Sequence, residues 1–143
     1  EGQLEDYQIG KAIQLTDGND ITLIGIGNGV YQCVKTAAML EKEGISARVI
    51  DLHTVKPLDR EIILKAAKET RAIITVEDHV IDGGMGSAVA EVVTSSLDPE
   101  VRVPVKRLGI PNCFFIQGSP EEVYAYYGYD ADGVVKAAHE LLG

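Results

Sequence analysis

Apolar residues fall into short runs and helically spaced sets that alternate along the chain, and the alternation predicts a fold. Ile13 to Leu15 and Ile21 to Ile24 flank Asp17-Gly18-Asn19-Asp20, so two strands joined by a short hairpin-like loop are expected. Val30, Cys33, Val34, Ala37 and Leu40 recur at helical spacing after Gly29, and Gly44 stands where a helix stops in a left-handed conformation. Ala47 to Leu52 is the next strand, which completes a β-α-β unit with a right-handed crossover. After Pro57, Asp59 caps a helix that buries Ile62, Ile63, Ala66 and Ala67. Ala72 to Val76 is apolar but for Thr75, as a strand covered on both faces of a parallel sheet should be.

Beyond Gly83-Gly84-Met85-Gly86 a helix carries Val89, Val92 and Val93 and ends at Asp98-Pro99. Val101 to Leu108 is the last strand, with Pro104 pointing to an edge position or a bulge. Ser119-Pro120-Glu121-Glu122 is a capping box with proline at the first helical position. That helix runs to Tyr127 and breaks at Gly128, and a last helix from Asp130 buries Val134, Val135, Ala138 and Leu141. The predicted fold is α/β: three layers, with a mainly parallel but mixed five-stranded sheet and helices on both faces, in a single domain spanning residues 1–143. No internal repeat, low-complexity stretch or linker interrupts it.

Composition narrows the classes of partner. A formal net charge of -9 leaves no basic face to track phosphates, which argues against nucleic acid and against an anionic membrane surface. No apolar run approaches the ~20 residues a membrane helix needs, and no signal segment opens the chain. Cys33 and Cys113 have no close-spaced Cys or His partner for zinc and read as reduced thiols of a cytoplasmic protein. Glu1 to Gly10 has no start methionine and leads at once into strand-like sequence, as expected of a fragment or a mature piece of something longer.

Four segments are candidates for chemistry. Gly25-Ile26-Gly27-Asn28-Gly29-Val30 stands between a strand and a helix, with Asp51 ending the next strand, as in a dinucleotide fingerprint. The third glycine of that motif falls on Val30, so close helix-to-strand packing is not provided and a tight βα turn is favoured over NAD binding. Gly83, Gly84, Gly86 and Ser87 place exposed backbone N–H groups at a helix start, where a phosphate or carboxylate could sit, or they simply let the chain turn. Glu77, Asp78, His79 and Asp82 form a polar cluster at the carboxyl end of the apolar strand, the place where open α/β sheets hold ligands. Their spacing matches no metal-ligand pattern, and an interface or substrate-channel role stands beside that of a solvated loop. Among Tyr124, Tyr126, Tyr127 and Tyr129, helical spacing assigns Tyr126 or Tyr127 to the core and the others to a subunit interface.

Taken in order, Tyr7 to Ala12 (YQIGKA), Leu52 to Asp59 (LHTVKPLD) and the run VEDHVIDGGMGSAVAEVV from Val76 resemble the carboxy-terminal domain of the transketolase superfamily over essentially the whole chain. The HTVKPLD wording and Lys65 to Thr70 are most similar to transketolases split over two polypeptides, whereas Phe115-Ile116-Gln117-Gly118-Ser119 looks more like deoxyxylulose phosphate synthase. The beta subunits of 2-oxo-acid dehydrogenases share the domain. The resemblance implies thiamine diphosphate and a divalent ion, Mg, held by pyrophosphate- and pyrimidine-binding domains of the same or a partner chain, in a homodimer or heterotetramer. It implies no catalytic or cofactor-binding residue here; this chain would be an assembly piece, inactive alone, of an enzyme moving two-carbon ketol units between sugar phosphates in the pentose phosphate pathway. The alternative from another class is a nucleotide- or anion-binding regulatory module.

Overall fold

The computed structural model describes residues 7–114 and 116–143. The expectation about the opening residues up to Asp6, and the share of the deoxyxylulose phosphate synthase motif carried by Phe115, lie outside the described residues. Ten elements follow in the order β1 (Ile13–Thr16), β2 (Ile21–Gly25), α1 (Asn28–Lys42), β3 (Ala47–Asp51), α2 (Arg60–Glu69), β4 (Ile73–Val80), α3 (Met85–Thr94), β5 (Val105–Ile110), α4 (Pro120–Tyr127) and α5 (Ala131–Leu142). The strands form one sheet in the order β1-β3-β2-β4-β5, parallel except for the antiparallel β1–β3 pair.

Strand side chains divide by parity between two cores. Leu23, Val49, Ile74 and Val76 pack with Cys33 and Leu40 of α1 and Val134 and Ala138 of α5. Ile24, Ile50 and Ile73 pack on the other face with Ile63 and Ala66 of α2 and Val89 and Val92 of α3. Both faces of the central strands are covered, which is why β2 and β3 are buried at every position. Val135 and Leu141 sit only partly buried at the margin of the first core.

The predicted hairpin is not formed. β3 lies between β1 and β2, so the loop after Thr16 must cross the start of β3. Gly18 is buried there, and a Cβ on it would lie 2.3 Å from the backbone of Ala47 and Arg48. The glycine in Asp17-Gly18-Asn19-Asp20 permits a backbone crossing rather than a two-strand turn. The last strand begins at Val105, after Pro104, and is an edge of the sheet. Pro104 still contributes its carbonyl, which accepts from the Ile73 N–H at 3.0 Å.

Caps set the helix starts. The Asp59 side chain accepts from the Ile62 N–H, Ser119 and Glu122 form the full capping box, and Asp130 accepts from the Gly133 N–H. The starts of α1 and α3 have no such caps, since Gly27 and Gly84 occupy the cap positions. These two helices leave the sheet in opposite directions, α1 from β2 towards β3 and α3 from β4 towards β5. The crevice between the carboxyl ends of β2 and β4 is therefore the topological switch point of the sheet.

Candidate functional site at the carboxyl edge of the sheet

The crevice is a hollow of about 500 Å³ lined by Ile26, Asn28, Glu77, Asp78, His79 and Met85, among others. Size does not single it out, because a hollow of about 490 Å³ also lies between α1 and the stretch Gly44 to Ala47. Convergent polar groups do, and three of the four acidic-cluster residues singled out in the sequence have distinct fates there.

Glu77 is 1% exposed and serves α3. Its Oε2 accepts from the Met85 N–H at 2.7 Å and its Oε1 from the Gly86 N–H at 2.9 Å. Helix N-termini offer unpaired N–H groups and partial positive charge; here the chain's own carboxylate takes both. Such a contact requires the backbone to reach the carboxylate without side chains in the way. A Cβ on Gly84 would stand 2.1 Å from Oε2, and one on Gly86 would stand 2.4 Å from Thr75 Oγ1 and 3.0 Å from Oε1.

Asp78 is exposed at the rim, yet both its oxygens are engaged. Tyr124 donates to Oδ2 at 2.9 Å and Tyr129 to Oδ1 at 3.1 Å, while Asn28 Nδ2 donates to the Tyr124 hydroxyl at 3.1 Å. One carboxylate thus ties the start of α1, the middle of α4 and the α4–α5 junction to the end of β4. Burial, and then donation to Asp78, raise the Tyr124 and Tyr129 hydroxyls above their ordinary range, so both stay protonated and keep donating. The core tyrosines are therefore Tyr124 and Tyr129, not Tyr126 or Tyr127. Tyr126 is 67% exposed and Tyr127 half-buried, because α4 turns Tyr124 towards the sheet and the left-handed Gly128 brings Tyr129 back beneath it.

His79 is exposed, with Nδ1 2.7 Å from the Val80 carbonyl. A carbonyl only accepts, so Nδ1 carries a proton and Nε2 is the free ring nitrogen. Asp82 stands apart from these three, exposed and 3.9 Å from Arg107. Arg107 also donates to the Ile81 carbonyl and to Ser87 Oγ, and Ser87 accepts from the Gly83 N–H and donates to the Ile81 carbonyl. Ser87 and Gly83 are thereby committed to holding the turn.

Close helix-to-strand packing is present after all in the first glycine segment, supplied by Gly29. A Cβ there would lie 2.1 Å from the Val76 carbonyl oxygen of β4, so the start of α1 rests directly on the neighbouring strand. Asn28, Tyr124 and Tyr129 belong to segments the sequence singled out separately; their convergence on Asp78 is what sequence reasoning missed. The legible signal for Glu77 was an acid at a strand end followed, at a helix start, by Gly-x-Gly.

Among the described residues no group of three or more His, Cys, Asp or Glu side chains could hold a metal ion. No helix among them is long and apolar enough to cross a membrane.

Residues 10–134 match the family described as "Transketolase, C-terminal domain". The chain is 44% identical over 137 residues to one of the subunits of apulose-4-phosphate transketolase from Phocaeicola vulgatus, covering 96% of this chain and 42% of that one. It is 45% identical over 139 residues to 1-deoxy-D-xylulose-5-phosphate synthase of Desulfitobacterium hafniense, covering 97% of this chain and 22% of that one. This chain thus spans less than half the length of either relative. The solved structure titled "Split gene transketolase, inactive beta4 tetramer" superposes with a TM-score of 0.87 at 36% identity, over 95% of this chain and 43% of that chain. With the sheet order and the switch-point crevice established, the match over most of the chain's length places this protein in the transketolase C-terminal domain family.

Proposed function

We propose that this chain is a single C-terminal assembly domain of a cytoplasmic, thiamine-diphosphate-dependent transketolase-type enzyme that moves two-carbon ketol units between sugar phosphates of the pentose phosphate pathway. It completes that enzyme and does not perform the reaction by itself. The coenzyme and its divalent ion, Mg, are held by pyrophosphate- and pyrimidine-binding domains on the same or a partner chain, in a dimeric or heterotetrameric assembly. One observation carries this reading: Glu77 occupies the α3 N–H groups at the switch point, so the backbone best suited to a pyrophosphate is already engaged. With those N–H groups taken by Glu77, no step of the reaction is assigned to the described residues.

Asp78, His79 and the Gly83 to Gly86 turn would then face neighbouring protein, with Glu77 shaping that surface from beneath. The likeness to a transketolase subunit and to a split-gene transketolase supports a separate partner chain. The test is reconstitution. Calorimetry on the purified chain should detect no binding of thiamine diphosphate with magnesium, and ketol transfer should appear only when a polypeptide carrying the two coenzyme-binding domains is added. Coenzyme binding and turnover by the chain alone would overturn the reading.

The 45% identity to a 1-deoxy-D-xylulose-5-phosphate synthase favours a second reaction within the same reading. Product analysis of the reconstituted enzyme decides between them, since 1-deoxy-D-xylulose 5-phosphate forms in one case and a transferred ketol unit in the other.

A further inference from the structure

Each polar side chain lining the switch-point crevice can be followed to its partner. Both Glu77 oxygens accept backbone N–H groups of α3, and both Asp78 oxygens accept tyrosine hydroxyls. A carboxylate only accepts, so the Tyr124 proton is committed to Asp78 and the Tyr124 oxygen must accept from Asn28 Nδ2. Asn28 Oδ1 is left without a partner among the described residues. His79 Nδ1 donates to the Val80 carbonyl, which leaves Nε2 of the neutral ring as an acceptor, also without a partner among them. Asn28 follows β2 and His79 lies in β4, so the crevice presents an unclaimed acceptor from each of the two strands that bound it.

Charge narrows what could meet those acceptors. The lining carries the carboxylates of Glu77 and Asp78 and neither lysine nor arginine. The tyrosine donors to Asp78 are neutral and leave its charge in place. The starts of α1 and α3 act against the carboxylates, each with roughly half a positive charge, so about one of the two negative charges remains uncompensated. Lys56 and Arg60 lie in an adjoining hollow beyond Val55 and Gly83, where Glu91 accompanies them. Ile26, Val55 and Met85 supply apolar wall. A side chain suited to this place has an apolar stem, a positive charge and donors pointing in more than one direction. Arginine meets all three conditions, whereas the compact, strongly hydrated ammonium of lysine gains less from leaving water.

We propose that the crevice receives an arginine side chain of the polypeptide carrying the coenzyme-binding domains, with its guanidinium donating to Asn28 Oδ1 and His79 Nε2 and its stem against Ile26, Val55 and Met85. This contact rests on the assembly role proposed above and gives that interface its chemistry. A guanidinium beside the imidazole favours the neutral ring, the form that accepts. The contact fixes how the partner is seated on the carboxyl edge of the sheet and takes no part in the reaction itself.

Two measurements test it. In the first, N-acetyl-arginine amide is titrated into the isotope-labelled chain and followed by NMR, with N-acetyl-citrulline amide as its uncharged counterpart. Saturable shifts should appear at the Asn28 side-chain amide and the His79 ring, with the citrulline probe binding about tenfold more weakly or less. Shifts that do not saturate, equal binding of the two probes, or preferred binding of acetate or inorganic phosphate at these residues would overturn the proposal. In the second, calorimetry follows association of the chain with the polypeptide carrying the two coenzyme-binding domains. His79→Lys sets a like charge where the guanidinium would lie and should weaken association about tenfold or more. Leu97→Lys adds the same charge at a fully exposed position beyond the end of α3 and should associate as the parent does. If His79→Lys associated and restored ketol transfer as well as the parent, the arginine contact would fall while the assembly role stood. A parent chain that failed to associate would remove the assembly role and the contact with it.

Discussion

Glu77 and Asp51 are both carboxylates at the carboxyl edge of one sheet, and both are nearly enclosed, at 1% and 7% exposure. Their surroundings differ in kind. Glu77 accepts two backbone N–H groups at the start of a helix, and glycines on either side of Met85 let it approach. Asp51 has a single long bond from a hydroxyl and one oxygen with no partner among the described residues. A buried charge stabilises a fold only where donors meet it, so burial alone says nothing about which way a carboxylate acts. In this domain Glu77 is part of the frame, whereas Asp51 is a place where the frame is left incomplete.

The same acid-to-amide exchange at both positions breaks the comparison most directly. Glu77→Gln keeps an oxygen for one of the two backbone N–H groups but sets an amide NH₂ against the other, and should cost about 2–4 kcal/mol of unfolding free energy. Urea denaturation measures it, and a loss below about half a kilocalorie would show that α3 does not depend on the carboxylate. Next in size is Gly84→Ala, whose Cβ would meet Glu77 Oε2 at 2.1 Å and the Val80 carbonyl at 2.9 Å. Displacing the carboxylate from the helix start should cost about 1–3 kcal/mol. Combining the two changes sharpens the reading, because substitutions acting through one contact should be markedly less than additive in a double-mutant cycle.

Tyr129→Phe gives a smaller effect. It removes one of the two tyrosine donors to Asp78, but Asp78 lies at the rim and water can replace the lost hydroxyl. A loss of about 1 kcal/mol is expected, read as a lowered urea midpoint.

That network also marks how far the sequence could be read. Helix starts were legible because a cap acts within three or four residues, as at Asp59, Ser119 and Asp130. Central strands were legible because burial on both faces leaves a run that is apolar without alternation, as in Ala72 to Val76, where only Thr75 is polar. Pairing was not. Ile13 to Leu15 reads the same whether its neighbour is β2 or β3, and Gly18 reads the same as a turn residue or a crossing point. Nor could four clustered tyrosines be sorted, because Tyr129 lies beyond the helix break and its burial depends on how Gly128 redirects the chain. In the site, the local part of the cluster was visible as Glu77, Asp78 and His79, but their partners lie on other elements. Asp78 meets Tyr129 across 51 positions.

The smallest expected change has the opposite sign. At about pH 8 Asp51 is charged and enclosed, so Asp51→Asn should leave stability unchanged or raise it by about 1 kcal/mol or less. The pH dependence carries more weight than the size. Burial raises the Asp51 carboxyl in the folded state, so the parent domain binds this proton more tightly than its unfolded chain does. Its stability relative to the Asn variant should accordingly increase as pH falls through the folded value of Asp51 towards 3.8, and any advantage of the variant should shrink. Urea midpoints of both proteins across the acid range measure that gap. If instead the parent lost ground to the variant on acidification, Asp51 would be a well-paired carboxylate like Glu77, and the contrast between the two carboxylates would not hold.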